Sequence, residues 1–594
     1  MNRLLGSWIF GAFACLLGAL VLVSNALAQR PTAPQLLPKY TLAAVRIADL
    51  PVLVSRFQQT ALGQIGQDAR MKPLVGQLFQ AAQDAFKQVE QQVGLPLDQL
   101  LKIPQGEVCV GFVASENFEQ EAGFVVVIDT KDQAVQARKL LAAAEEIARK
   151  NGGNRGTDRF GGEEVDVWTG FGPGRVFSIE RDGTFVFATT KPLMESVIAN
   201  FNGTGVERTL ADYDKYNTVM DRCLGQGDEQ PQISWYVDPI ALVRRLASGS
   251  LAATGLALFP VLGLDGLQAV GGTMTFATGD FDEIQHFHVL LDNPRVGVID
   301  AIGLRPGEMT PESWVPGDCV TYSTINWDLR HTFNASAKLY NGIMGDGELE
   351  NQIRSRISDR LGVDFEKEIM PQLSGRATWV QWVEKPVRIN SITTLIGLQL
   401  KEPQAFKHIL DKVVLKHSAT LEKQRYGTVE YWLIKTGAGR PQKGKAKLGD
   451  LRQPMPCVGI VNDYLVMTDS MKAFQEAVTA QSNPDQSLAT SLDFKLISSR
   501  IQRQPGGDAP GAITFSRPEE GMRFWYEMAN AESTRKNLSQ QATRNRFFGS
   551  VDQALRDHPL PPFEVIAEYM APGGGMIVND QTGIHYTTFT LKRK

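Results

Sequence analysis

The 594-residue sequence is short of most of what marks a reactive protein. It holds five cysteines, and the four beyond the first 28 residues, Cys109, Cys223, Cys319 and Cys457, lie far apart. No CxxC or Cys/His spacing suggests zinc. Four cysteines in so long a chain are too few for a disulfide scaffold, so buried free thiols or one incidental bridge are expected. An excess of positive charge is also missing. Sixty-one Lys plus Arg against 65 Asp plus Glu leave a net charge of −4, which excludes a dedicated nucleic-acid binder held by phosphate contacts. GxSxG and HExxH are absent. The SxxK spacing of Ser533 and Lys536 lacks the supporting motifs of its class. Gly152-Gly153-Asn154-Arg155-Gly156 is a glycine-rich turn without the GK[ST] of a phosphate loop. No cofactor is implied. Apolar residues are not scarce: at 43% of the chain, with 8% aromatic, they exclude a disordered or fibrous protein. The length allows about three to six domains.

The first 28 residues read as an export signal. Arg3 supplies a positive n-region, Leu4 to Val23 is almost wholly apolar, and Ala26-Leu27-Ala28 forms an A-x-A cleavage site before Gln29. Cleavage removes one positive charge, Arg3, and leaves the mature chain at −5. The alternative is an uncleaved anchor, because the apolar stretch is long enough to cross a bilayer. Either way the expected location is periplasmic or extracellular, or at the membrane if the segment is retained.

The rest of the chain repeats itself. Leu37-Pro38 leads into Tyr40 to Ile47 as Val315-Pro316 leads into Asp318 to Ile325. Gly106-Glu107-Val108-Cys109-Val110 is echoed by Gly375 to Val380, and Val127 to Asp132 with its following helix by Leu398 to Glu402 and Ala405 to Val414. Val165 to Trp168 returns as Val429 to Trp432, and Phe185 to Thr189 as Tyr464 to Thr468. Five weak matches in one order, offset by 264 to 279 residues, predict two homologous units, 36–305 and 312–594. The Pro- and Gly-bearing stretch from Leu304 to Trp314 would join them.

Within the first unit, Leu74, Leu78, Phe79, Ala82, Phe86, Val89 and Val93 recur at helical steps, and Ala134 to Ile147 gives a second helix. Short β-type runs cover Glu107–Val113, Gly123–Asp129, Val165–Trp168, Arg175–Glu180 and Thr184–Thr189, with Arg181-Asp182-Gly183 as a hairpin turn. A longer pair, Leu267–Ala277 and Phe281–Leu291, closes the unit. Short-linked strands argue for antiparallel pairing. The expected class is α+β: two tandem units, each a curved, mainly antiparallel sheet with helices packed on one face. The post-signal strand with its Leu37-Pro38 lead-in, the long Gln/Ala helix, Val93 to Asp98 before Gly106-Glu107-Val108, and Gly263 to Leu267 before the late strand pair resemble a family of exported bacterial proteins. That family's domain has no assigned function, and the resemblance brings no catalytic residues with it.

Candidate chemistry is thin. His286 and His288, two apart on a predicted strand, share a face with Asp282 and are weak candidates for a metal site. The alternative is a polar, solvated sheet face. His585 stands in a comparable place on the last strand, but Thr587 is two residues on, so the pair does not recur. Glu163, Glu164 and Asp166 form a carboxylate cluster, which alternation turns toward solvent. Lys435, Arg440, Lys443, Lys445 and Lys447 make a basic loop suited to anionic lipid or polysaccharide, or simply solvated. The uncharged run Ser248 to Leu264 is too short to span a membrane and is expected as a core helix, an exposed patch or a cavity wall. The units share shape and not reactive side chains. The leading expectation is therefore a non-catalytic, exported envelope protein that binds a protein, glycan or lipid, with no nucleic-acid partner. A periplasmic carrier or chaperone for an apolar ligand is the first alternative, and a hydrolase with an unrecognised site the second.

Overall fold

A computed structural model describes residues 30–114, 121–171, 174–205, 208–224, 230–247, 253–435, 451–504, 509–543 and 545–593. The cleavage residues Ala26, Ala28 and Gln29 lie outside this set, as does the basic loop beyond Lys435. Among the described residues, no helix is long and apolar enough to cross a membrane.

Strands and helices follow the periodicities of the sequence. The first ten strands are β1 Thr41–Ile47, β2 Val108–Val113, β3 Gly123–Asp129, β4 Arg155–Phe160, β5 Glu163–Trp168, β6 Val176–Arg181, β7 Thr184–Ala188, β8 Ile233–Val237, β9 Leu267–Thr278 and β10 Phe281–Leu291. The second ten are β11 Thr321–Asn326, β12 Leu373–Val383, β13 Ile392–Leu400, β14 Leu421–Tyr426, β15 Val429–Ile434, β16 Cys457–Val461, β17 Tyr464–Thr468, β18 Ala512–Ser516, β19 Gly573–Asn579 and β20 Gly583–Leu591. The expected hairpin turn joins β6 and β7, shortened to two residues because Arg181 belongs to β6. Asp182 at φ 49° and Gly183 at φ 75° take the left-handed geometry that matches hairpin twist.

Every pairing is antiparallel, and together they make one open sheet. From its first edge it runs β4-β5-β6-β7-β3-β2-β1-β8-β9-β10. It then crosses to β20 and continues β19-β18-β11-β12-β13-β17-β16-β15-β14. The second ten strands are thus connected in the same order as the first ten. The seam between them is the β10–β20 ladder, in register from Glu283 opposite Thr590 to Leu290 opposite Gly583. Two separate sheets were expected, and the seam makes them one. The outermost strands are polar: β4 is exposed from Arg155 to Arg159, and β14 carries Glu422, Lys423 and Arg425 outward.

Two cores lie on one face of the sheet. The first gathers Leu36, Leu37, Val125, Val127, Val186, Met194, Ile198 and Tyr236. The second gathers Trp314, Val315, Tyr322, Leu395, Phe474 and Phe515. Helices were expected on one face only, and here the structure differs. Val186 enters the first core, whereas its neighbours Phe185 and Phe187 meet the helix Ala134–Lys150 on the opposite side. A strand apolar at successive positions needs cover on both faces. A third cluster joins Ile65, Met71 and Leu74 to Ala554, Phe563 and Ile566, tying the helix Lys72–Val93 to helices late in the chain. The segment expected as a core helix around Ser248–Leu264 is described from Ala253. It forms two short helices, with Leu258 and Val261 more than half exposed.

Each half also buries an ion pair where a lead-in segment meets the sheet. Glu107 binds Arg30 at 2.5 Å, holds Arg46, and accepts from the backbone N–H of Ala33. Its counterpart in strand order, Arg376, carries the opposite charge. It meets Glu312 at 3.0 Å and Glu308 at 3.6 Å, and donates to Thr324 Oγ1. Replacing Arg376 with Ala strands the Glu312 carboxylate in the interior and is expected to cost about 3–5 kcal/mol in urea unfolding. Arg138→Ala, which breaks a solvent-exposed pair with Glu180, should cost less than about 1 kcal/mol.

Candidate functional site

The three groups singled out by the sequence meet different fates. On β10 and β20, His286 and His288 come together with His585. The ring centres of His286 and His288 lie 5.6 and 5.7 Å from that of His585. His286 Nδ1 is 3.4 Å from His585 Nε2, and the Thr587 hydroxyl is 3.2 Å from both. His288 Nε2 faces Thr582 Oγ1 at 3.4 Å. The expected solvated face is overturned, since all three rings are buried, on the face where the helix Asp214–Cys223 packs against β9 and β10. Asp282 is not part of the cluster. Four residues along from His286, about 13 Å, it accepts from the Ala61 N–H at 2.8 Å and so closes the start of the helix Ala61–Gln67. Among the described residues no group of three or more His, Cys, Asp or Glu is arranged to hold a metal ion.

Burial pushes the His286 and His288 imidazoles down to about 4 and His585 down to about 3, helped at His585 by its two histidine neighbours. The charged groups facing them are Arg222 and Asp580, which pair with each other across the seam. The nearby Cys223 thiol is pushed up to about 12 by burial and is inert. All four described cysteines are free and buried.

The carboxylate cluster near β5 is structural. Asp166 binds Arg155 through two nitrogens at 2.9 and 3.0 Å, and Glu164 is exposed. An acidic cleft of about 670 Å³ lies in the second half, between Asp318, Glu476, Glu519 and Arg517. Burial raises the carboxyls of Glu476 and Glu519. Its two serines are engaged locally, Ser491 Oγ with Arg517 and Ser487 Oγ with the Ala489 N–H, so no nucleophile stands against a base there.

The largest feature lies on the other face of the sheet. Residues directly opposite one another on neighbouring strands point the same way. One such row runs Val126, Val110, Val45, Trp235, Gly272, Phe287, Tyr586, Ile577, Ala512, Ile325. A parallel row runs Phe124, Phe112, Ala43, Val237, Val270, Val289, Ile584. Neither row contains an ionisable group other than the Tyr586 phenol. Gly272 is the break in the first row, and Trp235 fills it: a Cβ there would stand 2.9 Å from the indole nitrogen. The indole thereby reaches Phe287, with ring centres 5.6 Å apart. Much of this surface is open, with Val45 54%, Phe124 49% and Val110 42% exposed. The helix Leu50–Gln58 closes one end through Phe57 on Phe276 and Arg56 on the Ala277 carbonyl. The helix Pro239–Ala247 packs on β9 and β1 and leaves Val243 and Leu246 exposed. Sequence reasoning missed this strip. Its signal was the apolar character of both alternating sets in β1, β2 and β8.

The histidines generate a pH dependence of stability. An unfolded imidazole binds its proton near 6.5 and the folded ones far lower, so the unfolded state holds more protons between pH 6.5 and about 4. Stability is full above that window and falls as pH drops through it, by up to about 1.4 kcal/mol per pH unit for each histidine. Urea midpoints from pH 7 to 4.5 should decline steeply. In His585→Gln the slope should be reduced by about a third, and an unchanged slope would contradict the assignment.

Residues 20–238 match the model of a family described as "Protein of unknown function (DUF3352)". No curated protein matches the chain. The solved structure of TP0453, in its crystal form III, aligns with a TM-score of 0.23 and 8% identity over 47% of this chain and 91% of that one.

Proposed function

We propose that this chain is an exported, non-catalytic binding protein of the cell envelope that holds the hydrocarbon chains of a lipid against the open face of its sheet. The observation that carries this reading is the pair of apolar rows crossing β3-β2-β1-β8-β9-β10-β20, about 29 Å at the spacing of paired strands. An uncovered apolar area of that kind marks a contact surface. The chemistry favours hydrocarbon over a protein partner, because a protein interface carries roughly one hydrogen bond per 100–200 Å² and these rows offer almost no side-chain donors or acceptors.

Export is supported by the Arg3, Leu4–Val23 and Ala26-Leu27-Ala28 pattern. We also propose that the chain is a tandem duplication of 36–305 and 312–594. The identical order of pairing in the two sets of ten strands supports this, as does the paired burial of Trp168 and Trp432. The matching face of the second ten strands carries Ser323, Thr514, Thr588, Thr321 and Gln381, so the apolar face belongs to the first ten strands and β20. The hydrolase alternative draws no support from the histidines, which are buried and unionised beside an inert thiol.

The protein purified from its native envelope should release lipid into organic solvent, identified by mass spectrometry. Val45→Glu and Phe124→Glu alter exposed positions, so both variants should fold and bind a fluorescent fatty acid at least tenfold more weakly, about 1.4 kcal/mol. A native protein that comes out empty, with both variants binding the probe as well as the parent, overturns the reading.

A further inference from the structure

A cavity of about 160 Å³ opens where β11 leads into the helix Leu329–Met344. Three cations from separate stretches of chain line it: Arg305 ahead of β11, Arg330 in the helix, and Lys401 just after β13. Arg305 donates to the Ser374 carbonyl at 2.8 Å and Lys401 to the Pro371 carbonyl at 3.1 Å, which holds both side chains at the rim. None of the three is within ion-pair distance of a carboxylate among the described residues. The acid in the wall, Asp328, is already engaged in capping the helix, accepting from the His331 N–H at 3.0 Å. The helix end is therefore closed, and the side chains alone set the potential.

The corresponding place in the first half shows what is unusual. There Asp49 caps the helix Leu50–Gln58 through the Val52 N–H, and its second oxygen binds Lys131 at 3.0 Å. Pro51 stands where Arg330 does. The same frame is neutralised in one half and carries two uncompensated positive charges in the other.

We propose that this cavity is an anion site for a phosphate group. It has about five water volumes of space at roughly 30 Å³ each, which suits one tetrahedral oxyanion and not a nucleotide. Two guanidiniums present the fork that matches phosphate oxygens, and the lysine adds a point charge. This site is independent of the apolar face.

The test uses the mature chain and inorganic phosphate at fixed ionic strength. Phosphate should raise the thermal midpoint in a concentration-dependent way relative to chloride. Arg330→Ala, at an exposed residue with no ion-pair partner among the described residues, should fold normally and weaken phosphate binding at least tenfold. Lys401→Gln should weaken it as well, and Lys131→Ala in the first half should leave it unchanged. Co-sedimentation with phosphatidylglycerol against phosphatidylcholine vesicles separates the sources. Vesicle binding that depends on Arg330 identifies a lipid headgroup, and stabilisation by phosphate without it identifies a soluble phosphate. Equal midpoints in phosphate and chloride, together with vesicle binding indifferent to Arg330, overturn the proposal.

Discussion

The backbone ladder between β10 and β20 is the constraint on which the rest depends. Eight directly paired positions from Glu283 to Leu290 join strands nearly 300 residues apart in sequence, and without them the sheet would fall into two pieces with two more raw edges. The ladder fixes register, and register fixes faces, because a slip of one residue would exchange every inward side chain for an outward one. That single alignment places the three imidazoles against one another on one side. On the other it sets Phe287 beside Tyr586 and lets the apolar rows pass from one half of the chain to the other.

The buried ion pairs follow a related logic. Glu107 and Arg376 occupy equivalent places in strand order and carry opposite charges, and each is met by complementary charge from its own lead-in segment, Arg30 for Glu107 (with Arg46 of β1) and Glu308 and Glu312 for Arg376. A buried charge is tolerated only when it is paired and hydrogen-bonded. Inverting the sign at one member therefore obliges its surroundings to invert too. These pairs hold the lead-in residues Leu36, Leu37, Trp314 and Val315 in the two cores, where all four are fully buried.

Much of this was legible from the order of residues. Apolar alternation located β2, β3 and the long pair β9 and β10, and the Asp182-Gly183 turn located the hairpin between β6 and β7. β4 escaped, because Arg-Gly-Thr-Asp-Arg-Phe has no apolar alternation; as an edge strand it is held by pairing with β5 and not by burial. The pairing of helices from opposite ends of the chain also escaped, since the partners of Met71 and Leu74 lie almost 500 residues away. His286 and His288 were visible as a pair, but their burial was not, because two polar residues on alternate positions read as an outward face until His585 and a covering helix are known. Asp282 was misassigned for the same reason: its partner, the Ala61 amide, belongs to an element that no local pattern links to β10. The cationic cavity could not be read at all, because its three side chains come from separate stretches spread over almost 100 residues.

The polar rims of the sheet have a consequence of their own. An open array presents free amides and carbonyls along each terminal strand, an invitation to add further strands from neighbouring molecules. Arg155, Asp158 and Arg159 at one end and Glu422, Lys423 and Arg425 at the other make such stacking demand the stripping of water from several ions. Strand addition beyond β4 and β14, the outermost strands among the described residues, is thereby disfavoured.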